Sequence, residues 1–246
     1  MSDSVETRLP RASWRSVVAT TIRLLTFRAT REELVRFTSK HLAFGLLCTW
    51  IVGVGRYWDN PRVQLLQHLG IGSIAYVFIL SLFLWLIVWP LRPRNWSYFR
   101  VLVFVSLVSP PAILYALPVE KFYSLDTANS LNVLFLAIVA TWRVALLVFF
   151  LRRLGELDRF SIVVATLLPL TLIIVTLTVL NLEKAVFDFM GGVREGTASD
   201  ASYGILFLLS FFSILLFLPL LLCYLALVVA ARRKAKDEQL RRTLES

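Results

Sequence analysis

The chain has 246 residues, of which 58% are hydrophobic and only 17% charged, and its net charge is +10. Its mean hydropathy of +0.73 lies outside the range of ordinary soluble domains. The composition therefore excludes a soluble globular protein. In a membrane protein, basic residues are expected to face anionic headgroups, so we expect no nucleic-acid partner.

The N-terminal 40 residues carry eight basic side chains and precede the first continuous apolar run. Within them, one helical face collects Trp14, Val17, Val18, Thr21, Leu24 and Leu25. We interpret this pattern as a basic amphipathic helix in the cytoplasmic headgroup layer, with Arg11, Trp14, Arg15 and Arg23 at the membrane surface. The alternative is a helix packed on the cytoplasmic face of the protein itself.

Thr30 and Glu33 have the spacing of a capping box and predict a second short helix. Six later stretches are apolar and long enough to cross a ~30 Å hydrocarbon layer. They cover residues 42–58, 69–89, 101–118, 131–151, 161–182 and 203–231. The predicted fold is all-α, a polytopic membrane bundle of six transmembrane helices. Residues 41–231 would form this bundle, between a cytoplasmic segment 1–40 and a basic cytoplasmic tail 232–246.

Basic residues alternate between the connections of the predicted spans. Twenty of the 26 Lys and Arg residues fall on one side, five fall on the other, and Arg143 lies inside a span. Because such a bias orients membrane proteins with the basic side in the cytoplasm, we expect both termini to be cytoplasmic. We expect the protein to lie in the plasma (bacterial inner) membrane, since the sequence shows no recognisable signal for another membrane. We expect anionic lipid headgroups on the cytoplasmic side as its partners.

Arg143 is the one formal charge well inside a predicted span. An arginine at the centre of a bilayer costs roughly 2.5–3.5 kcal/mol on insertion scales. No Asp or Glu lies in the core of any predicted span to neutralise it. Two interpretations stay open. The side chain snorkels toward the end of its helix near Arg152, or it faces a polar cavity and holds an anionic group such as a lipid phosphate by forked hydrogen bonds.

The predicted span 101–118 contains Ser106, Ser109, Pro110 and Pro111. Tandem prolines remove two N–H donors and free carbonyls about one turn earlier. Freed carbonyls in hydrocarbon must find other partners, and the two serines or the Arg143 guanidinium are candidates. The sequence therefore predicts a polar binding pocket formed by these residues together with Arg143.

No recognisable catalytic motif occurs in the chain: it has no HExxH, CxxC, G-x-S-x-G or P-loop pattern. We therefore expect no enzyme, no cofactor and no metal site. The favoured function is a non-enzymatic scaffold or accessory protein that binds lipid or a membrane-protein partner. The alternative is a small transporter or permease-like subunit for an anionic or lipid-like solute. A membrane enzyme would require the exterior carboxylates Glu120, Asp126, Glu183 and Asp188 to converge.

The segments 27–34 and 110–120 resemble those of bacterial multi-pass inner-membrane proteins distantly similar to the Yip1 family. This resemblance implies a helical bundle with a cytoplasmic N-terminus and no known enzymatic activity. Eukaryotic members of that family act in membrane trafficking with small GTPases. Its aspartate-leucine-tyrosine-glycine-proline signature is missing here, and the family has five spans rather than six, so no functional residue is carried over.

Overall fold

A computed structural model describes residues 13–57, 65–182 and 200–245. Over these ranges the chain is helical and contains no strand, so the predicted all-α class is confirmed. The helices are α1 (Trp14–Leu25), α2 (Arg31–Val35), α3 (Ser39–Tyr57), α4 (Leu65–His68), α5 (Ile71–Val88), α6 (Tyr98–Leu107), α7 (Leu125–Arg153), α8 (Arg159–Val179) and α9 (Asp200–Glu245). Short 3₁₀-helices cover Trp89–Leu91, Pro110–Ala116 and Val119–Lys121.

Four segments of the described chain are long and apolar enough to cross a membrane, as expected of an integral membrane protein. They are Ile71–Leu91, Thr127–Arg153, Arg159–Val179 and Leu206–Thr243. A fifth is obtained if α6 and the 3₁₀-helix Pro110–Ala116 count as one span bent by 40°. The predicted first span corresponds to α3, which is less apolar because Lys40, His41 and Arg56 lie near its ends. Length and composition therefore do not establish the number six.

Helix α9 continues without interruption past residue 231, where the last span was predicted to end. The predicted basic tail is thus helical as far as Glu245. Helix α9 packs along α8 and lies at the periphery of the bundle.

Local capping signals begin several of these helices. The predicted capping box is confirmed: Glu33 N–H donates to Thr30 Oγ1 at 3.3 Å, and Thr30 N–H donates to Glu33 Oε2 at 3.0 Å. Ser97 and Asp158 cap α6 and α8 in the same manner, each accepting a main-chain N–H with its side chain. Each cap satisfies a donor that the first turn of a helix leaves without a partner.

Helix α6 is the centre of the bundle, and its residues 101–107 are all buried. Helices α3 and α5 pack against it, while α8 packs against both α7 and α9. The rings of Phe104 in α6 and Phe150 in α7 stack with their centroids 4.0 Å apart. Leu24 and Leu34 from the two N-terminal helices complete this core. The N-terminal segment therefore packs on the bundle as part of one hydrophobic core.

Helix α1 divides its apolar surface between the protein and its surroundings. Val17 and Leu24 are completely buried, whereas Trp14, Val18 and Ile22 are 56%, 40% and 56% exposed. The exposed residues are four apart, so they form a second stripe on the helix. The sequence assigned Trp14, Val17, Val18 and Leu24 to one apolar face. The structure divides that face: Val17 and Leu24 pack on the protein, whereas Trp14 and Val18 are exposed.

One end of the bundle gathers the segments predicted to be cytoplasmic. Glu156, between α7 and α8, forms ion pairs with Arg31 of α2 and with Arg94 of the α5–α6 connection. The Tyr224 hydroxyl of α9 donates to the Ile87 carbonyl at 2.7 Å, so α9 passes the same end. We call this end, marked by Arg31, Arg94 and Glu156, the basic end.

Candidate functional site

Helix α6 ends where its hydrogen bonding cannot continue. The Val108 carbonyl would normally accept from the residue three or four positions later. Pro111 has no N–H, and the Ala112 N–H donates to the Ser109 carbonyl at 2.9 Å instead. The Val108 carbonyl is therefore left without a main-chain donor at the 40° bend.

Arg143 of α7 supplies the missing donor. Its Nε–H donates to the Val108 carbonyl at 3.3 Å, and its side chain is partly buried. Of the candidate partners predicted for a carbonyl freed by the prolines, Arg143 is the one that bonds to the Val108 carbonyl. In the snorkelling interpretation the side chain would instead run along α7. Among the described residues, no carboxylate pairs with Arg143 and no acceptor takes its terminal nitrogens.

The two serines of the predicted pocket face another neighbour. Ser106 Oγ donates to the Val103 carbonyl at 2.8 Å, and Ser109 Oγ lies 2.7 Å from Thr49 Oγ1 of α3. Both serines are buried, and neither is hydrogen-bonded to Arg143. The structure therefore divides the predicted pocket in two. Arg143 joins the proline break, while the serines join α6 to α3.

Sequence reasoning missed Thr49, although a signal for it was present. Gly45, Thr49 and Gly53 recur every four residues, which is the small-residue spacing that lets membrane helices approach closely. A Cβ added at Gly45 would lie 2.2 Å from Ser106 Oγ, and one added at Gly53 would lie 2.6 Å from Ser73 Oγ. The glycines of α3 therefore permit close approach to Ser106 and Ser73, and the row of small residues includes a threonine.

Tyr115 interacts with Arg143 and with a second cation, Arg56. The Arg56 guanidinium carbon is 5.4 Å from the centroid of the Tyr115 ring. The charges of both Arg143 and Arg56 act on the Tyr115 hydroxyl, and Tyr76 lies close enough to interact with it as well. Tyr115 therefore extends the polar region of Arg143 toward α3.

The residues predicted at the membrane surface have different surroundings. Trp14 and Arg15 are exposed on α1. Arg23 instead forms an ion pair with Glu33 of α2, so it holds the two N-terminal helices together. Arg11 lies outside the described residues.

The carboxylates considered for an enzyme form no described site. Glu183 and Asp188 lie outside the described residues, and the structure describes no side chain for Glu120 or Asp126. Among the residues it does describe, no group of three or more His, Cys, Asp or Glu side chains could hold a metal ion.

Compared with protein-family models, with curated proteins and with solved structures, the chain gives no match. The resemblance to the Yip1 family therefore stays a prediction. Function has to be argued from the geometry of the site.

Proposed function

We propose that this chain is a non-enzymatic scaffold or accessory protein of the plasma (bacterial inner) membrane, and that it binds an anionic lipid headgroup at Arg143. One observation carries the proposal. Only Nε of Arg143 is engaged, by the Val108 carbonyl, and its terminal nitrogens have no acceptor among the described residues. A phosphate can accept two parallel N–H bonds from this fork, which a point charge such as lysine cannot reproduce.

The energetics favour a ligand. The bond to Val108 satisfies a carbonyl whose isolation in hydrocarbon would cost several kcal/mol. It engages one of the five N–H donors of the guanidinium. The remaining donors lie in a low-dielectric region, where unpaired polar groups are expensive. An anionic group there would neutralise the charge and occupy the open donors.

The depth of Arg143 indicates how a headgroup would enter. Arg143 lies ten residues before Arg153, or about 15 Å along α7 from the basic end. A lipid phosphate does not reach that depth through hydrocarbon unaided. Tyr115 and Arg56 extend the polar surface toward the far end of α3, away from the basic end. The headgroup would therefore enter from the side opposite the basic end.

The proposed topology has six crossings, with α3 as the first span and the bent pair of α6 and Pro110–Ala116 as the third. Both termini would be cytoplasmic. The ion pairs of Glu156 with Arg31 and Arg94 support this arrangement, because they gather three connections with a basic excess at one end. The exposed stripe of α1 with Trp14 and Arg15 would face the cytoplasmic headgroups.

A second candidate, a transporter or permease-like subunit for an anionic or lipid-like solute, is favoured by one observation. Helix α6 is broken at membrane depth beside a charged side chain. Transporters often use such discontinuous helices at their binding sites. Cysteine scanning along α7 tests this candidate, because a water-filled path would give helically periodic labelling that continues past Arg143.

The leading proposal is tested by native mass spectrometry of the protein in nanodiscs with equal amounts of phosphatidylglycerol and phosphatidylcholine. Arg143→Leu should lower the retention of one bound phosphatidylglycerol by about 10-fold or more, as expected for lost charge-assisted hydrogen bonds. Arg143→Lys keeps the charge but loses the fork, so it should retain an intermediate amount. Arg159→Leu, which removes an exposed cation at the start of α8, is the matched control and should bind like wild type.

Thermal unfolding of the same samples separates binding from folding. If Arg143→Leu does not fold, Arg143→Lys still decides the question. Equal phosphatidylglycerol retention by folded wild type and both variants would show that Arg143 serves only the Val108 carbonyl, and the headgroup proposal would be wrong.

A further inference from the structure

Helix α1 ends in a turn with an unusual residue. Arg28 N–H donates to the Arg23 carbonyl at 2.6 Å and Phe27 N–H donates to the Leu24 carbonyl at 3.0 Å, which are the two bonds of a Schellman cap. Phe27 occupies the left-handed position of this cap, with φ 59°. Glycine usually occupies it, because the left-handed conformation costs other residues roughly 1–2 kcal/mol. Contacts of the Phe27 ring can offset this cost, and the Phe149 ring supplies one of them.

The Phe27 ring lies at one end of an open apolar groove along α7. The groove is lined by Phe27, Ala137, Ile138, Thr141, Trp142 and Ala145. Small residues four apart form its floor. Trp142 forms a wall, and its indole N–H donates to the Leu25 carbonyl at 3.1 Å. The groove faces away from the bundle, since Ile138 and Trp142 are 41% and 39% exposed.

The groove lies within reach of a lipid chain that starts at the basic end. Its near end, at Ala145, is eight residues before Arg153, or about 12 Å along α7. One leaflet contributes about half of the ~30 Å hydrocarbon thickness. A single acyl chain in the leaflet next to the basic end would therefore reach the part of the groove at Ala145.

Two arginines neighbour the end of the groove that points to the basic end, one through ring contacts and one next to Phe27 in the chain. The Arg153 guanidinium carbon is 5.7 Å from the centroid of the Phe149 ring, which in turn meets the Phe27 ring edge-on at 5.9 Å. Arg28 follows Phe27 directly, and both arginine side chains are exposed. Within the described ranges, neither guanidinium forms an ion pair or a hydrogen bond. An apolar groove with two such cations in the neighbourhood of its end is complementary to an anionic amphiphile.

We propose that this groove binds an anionic phospholipid of the leaflet at the basic end, with one acyl chain along α7 and the phosphate between Arg28 and Arg153. The chain would pack on the Phe27 ring and offset the strain of its backbone. This site is separate from the one at Arg143, whose side chain points to the Val108 carbonyl of the helix break. The two sites would also draw lipid from opposite leaflets.

Photo-crosslinking tests this proposal on the full chain in vesicles. The probes are phosphatidylglycerol and phosphatidylcholine with a diazirine on one acyl chain, and adducts are located by peptide mass spectrometry. Phosphatidylglycerol should label residues 137–145 preferentially. The Arg28→Gln/Arg153→Gln double variant should reduce this labelling about 10- to 30-fold, the effect expected for two basic residues near an anionic group. Arg232→Gln/Arg233→Gln, which removes two exposed cations of α9, is the matched control and should label like wild type.

Two further variants locate the site. Arg143→Leu should keep the labelling of residues 137–145, which separates this site from the headgroup site proposed above. Ala145→Leu should abolish the labelling, because its side chain would fill the groove. Equal labelling by both lipids that does not respond to the double variant would indicate ordinary bilayer contact and overturn the proposal. Efficient disulfide formation between two copies of Thr141→Cys would also overturn it, since the groove would then be a helix–helix interface.

Discussion

Replacing Gly45 by alanine tests the close approach of α3 to α6. The added Cβ would lie 2.2 Å from Ser106 Oγ, 2.8 Å from its Cβ and 2.9 Å from its carbonyl carbon. A change of the Ser106 rotamer could move only the first of these atoms, so the two helices would have to separate. Overpacking of this kind costs about 1–3 kcal/mol. Separation would also strain the hydrogen bond between Thr49 and Ser109.

The measurement is thermal unfolding of the purified protein in nanodiscs, followed by tryptophan fluorescence. For a domain of this size, the expected loss corresponds to a decrease in Tm of roughly 2–12 °C. Gly72→Ala is the matched control, because its added Cβ meets nothing within 4 Å. It should leave Tm unchanged or raise it slightly. Adding Ser106→Ala to Gly45→Ala should not restore stability, since two of the three short contacts persist. A Gly45→Ala protein that melts with wild type would refute the contact.

Two further predictions concern helix caps. Thr30→Ala removes the capping box of α2 and should lower the free energy of unfolding by about 0.5–2 kcal/mol, whereas Thr30→Ser should have little effect in the same melting assay. Hydrogen bonds from the Ser161 hydroxyl and N–H lower the pKa of Asp158 below its ordinary value. Because the pKa of Asp158 is lower in the folded protein than in the unfolded chain, the ionised carboxylate stabilises the fold. This contribution is complete at pH values above the ordinary pKa of about 4, and it is lost as the pH falls through the lowered pKa. Asp158→Asn should therefore weaken the decrease in the free energy of unfolding at acidic pH. An unchanged decrease would contradict the lowered pKa of Asp158.

The features that the sequence predicted well have local causes. A long apolar run forms a helix in hydrocarbon because its main-chain N–H and C=O groups must bond to one another there. Helices α5 and α8 therefore match predicted spans closely, and α7 and α9 contain them. The capping box of Thr30 and Glu33 likewise depends on residues three apart. The proline pair predicted the break after α6 for the same reason, since a missing N–H is a property of the residue itself.

The features that the sequence could not predict depend on which helices meet. A pattern of apolar residues on α1 defines a face but not which part of that face meets protein, so the exposure of Trp14 and Val18 depends on the packing of Val17 and Leu24. The hydrogen-bond partners of Ser106 and Ser109 could not be predicted either, because a serine hydroxyl can bond to its own helix or to a neighbouring helix. The packing of α3 against α6 and the segment that follows it brings Thr49 to Ser109.

Helix α7 carries both proposed sites, and its contacts bear on the choice between binding and transport. Two adjacent residues hold it: Trp142 donates to the Leu25 carbonyl, and Arg143 donates to the Val108 carbonyl. They lie about 100° apart on the helix, so a rotation of α7 would break both bonds together. Leu25 is in turn fixed by the cap at Phe27. A transport cycle at the break would therefore move the segment Pro110–Ala116 while α7 stays in place, whereas a scaffold needs no movement. Cysteine pairs between this segment and α7 distinguish the two, because a cross-link that locks the pair would stop transport and leave lipid binding intact.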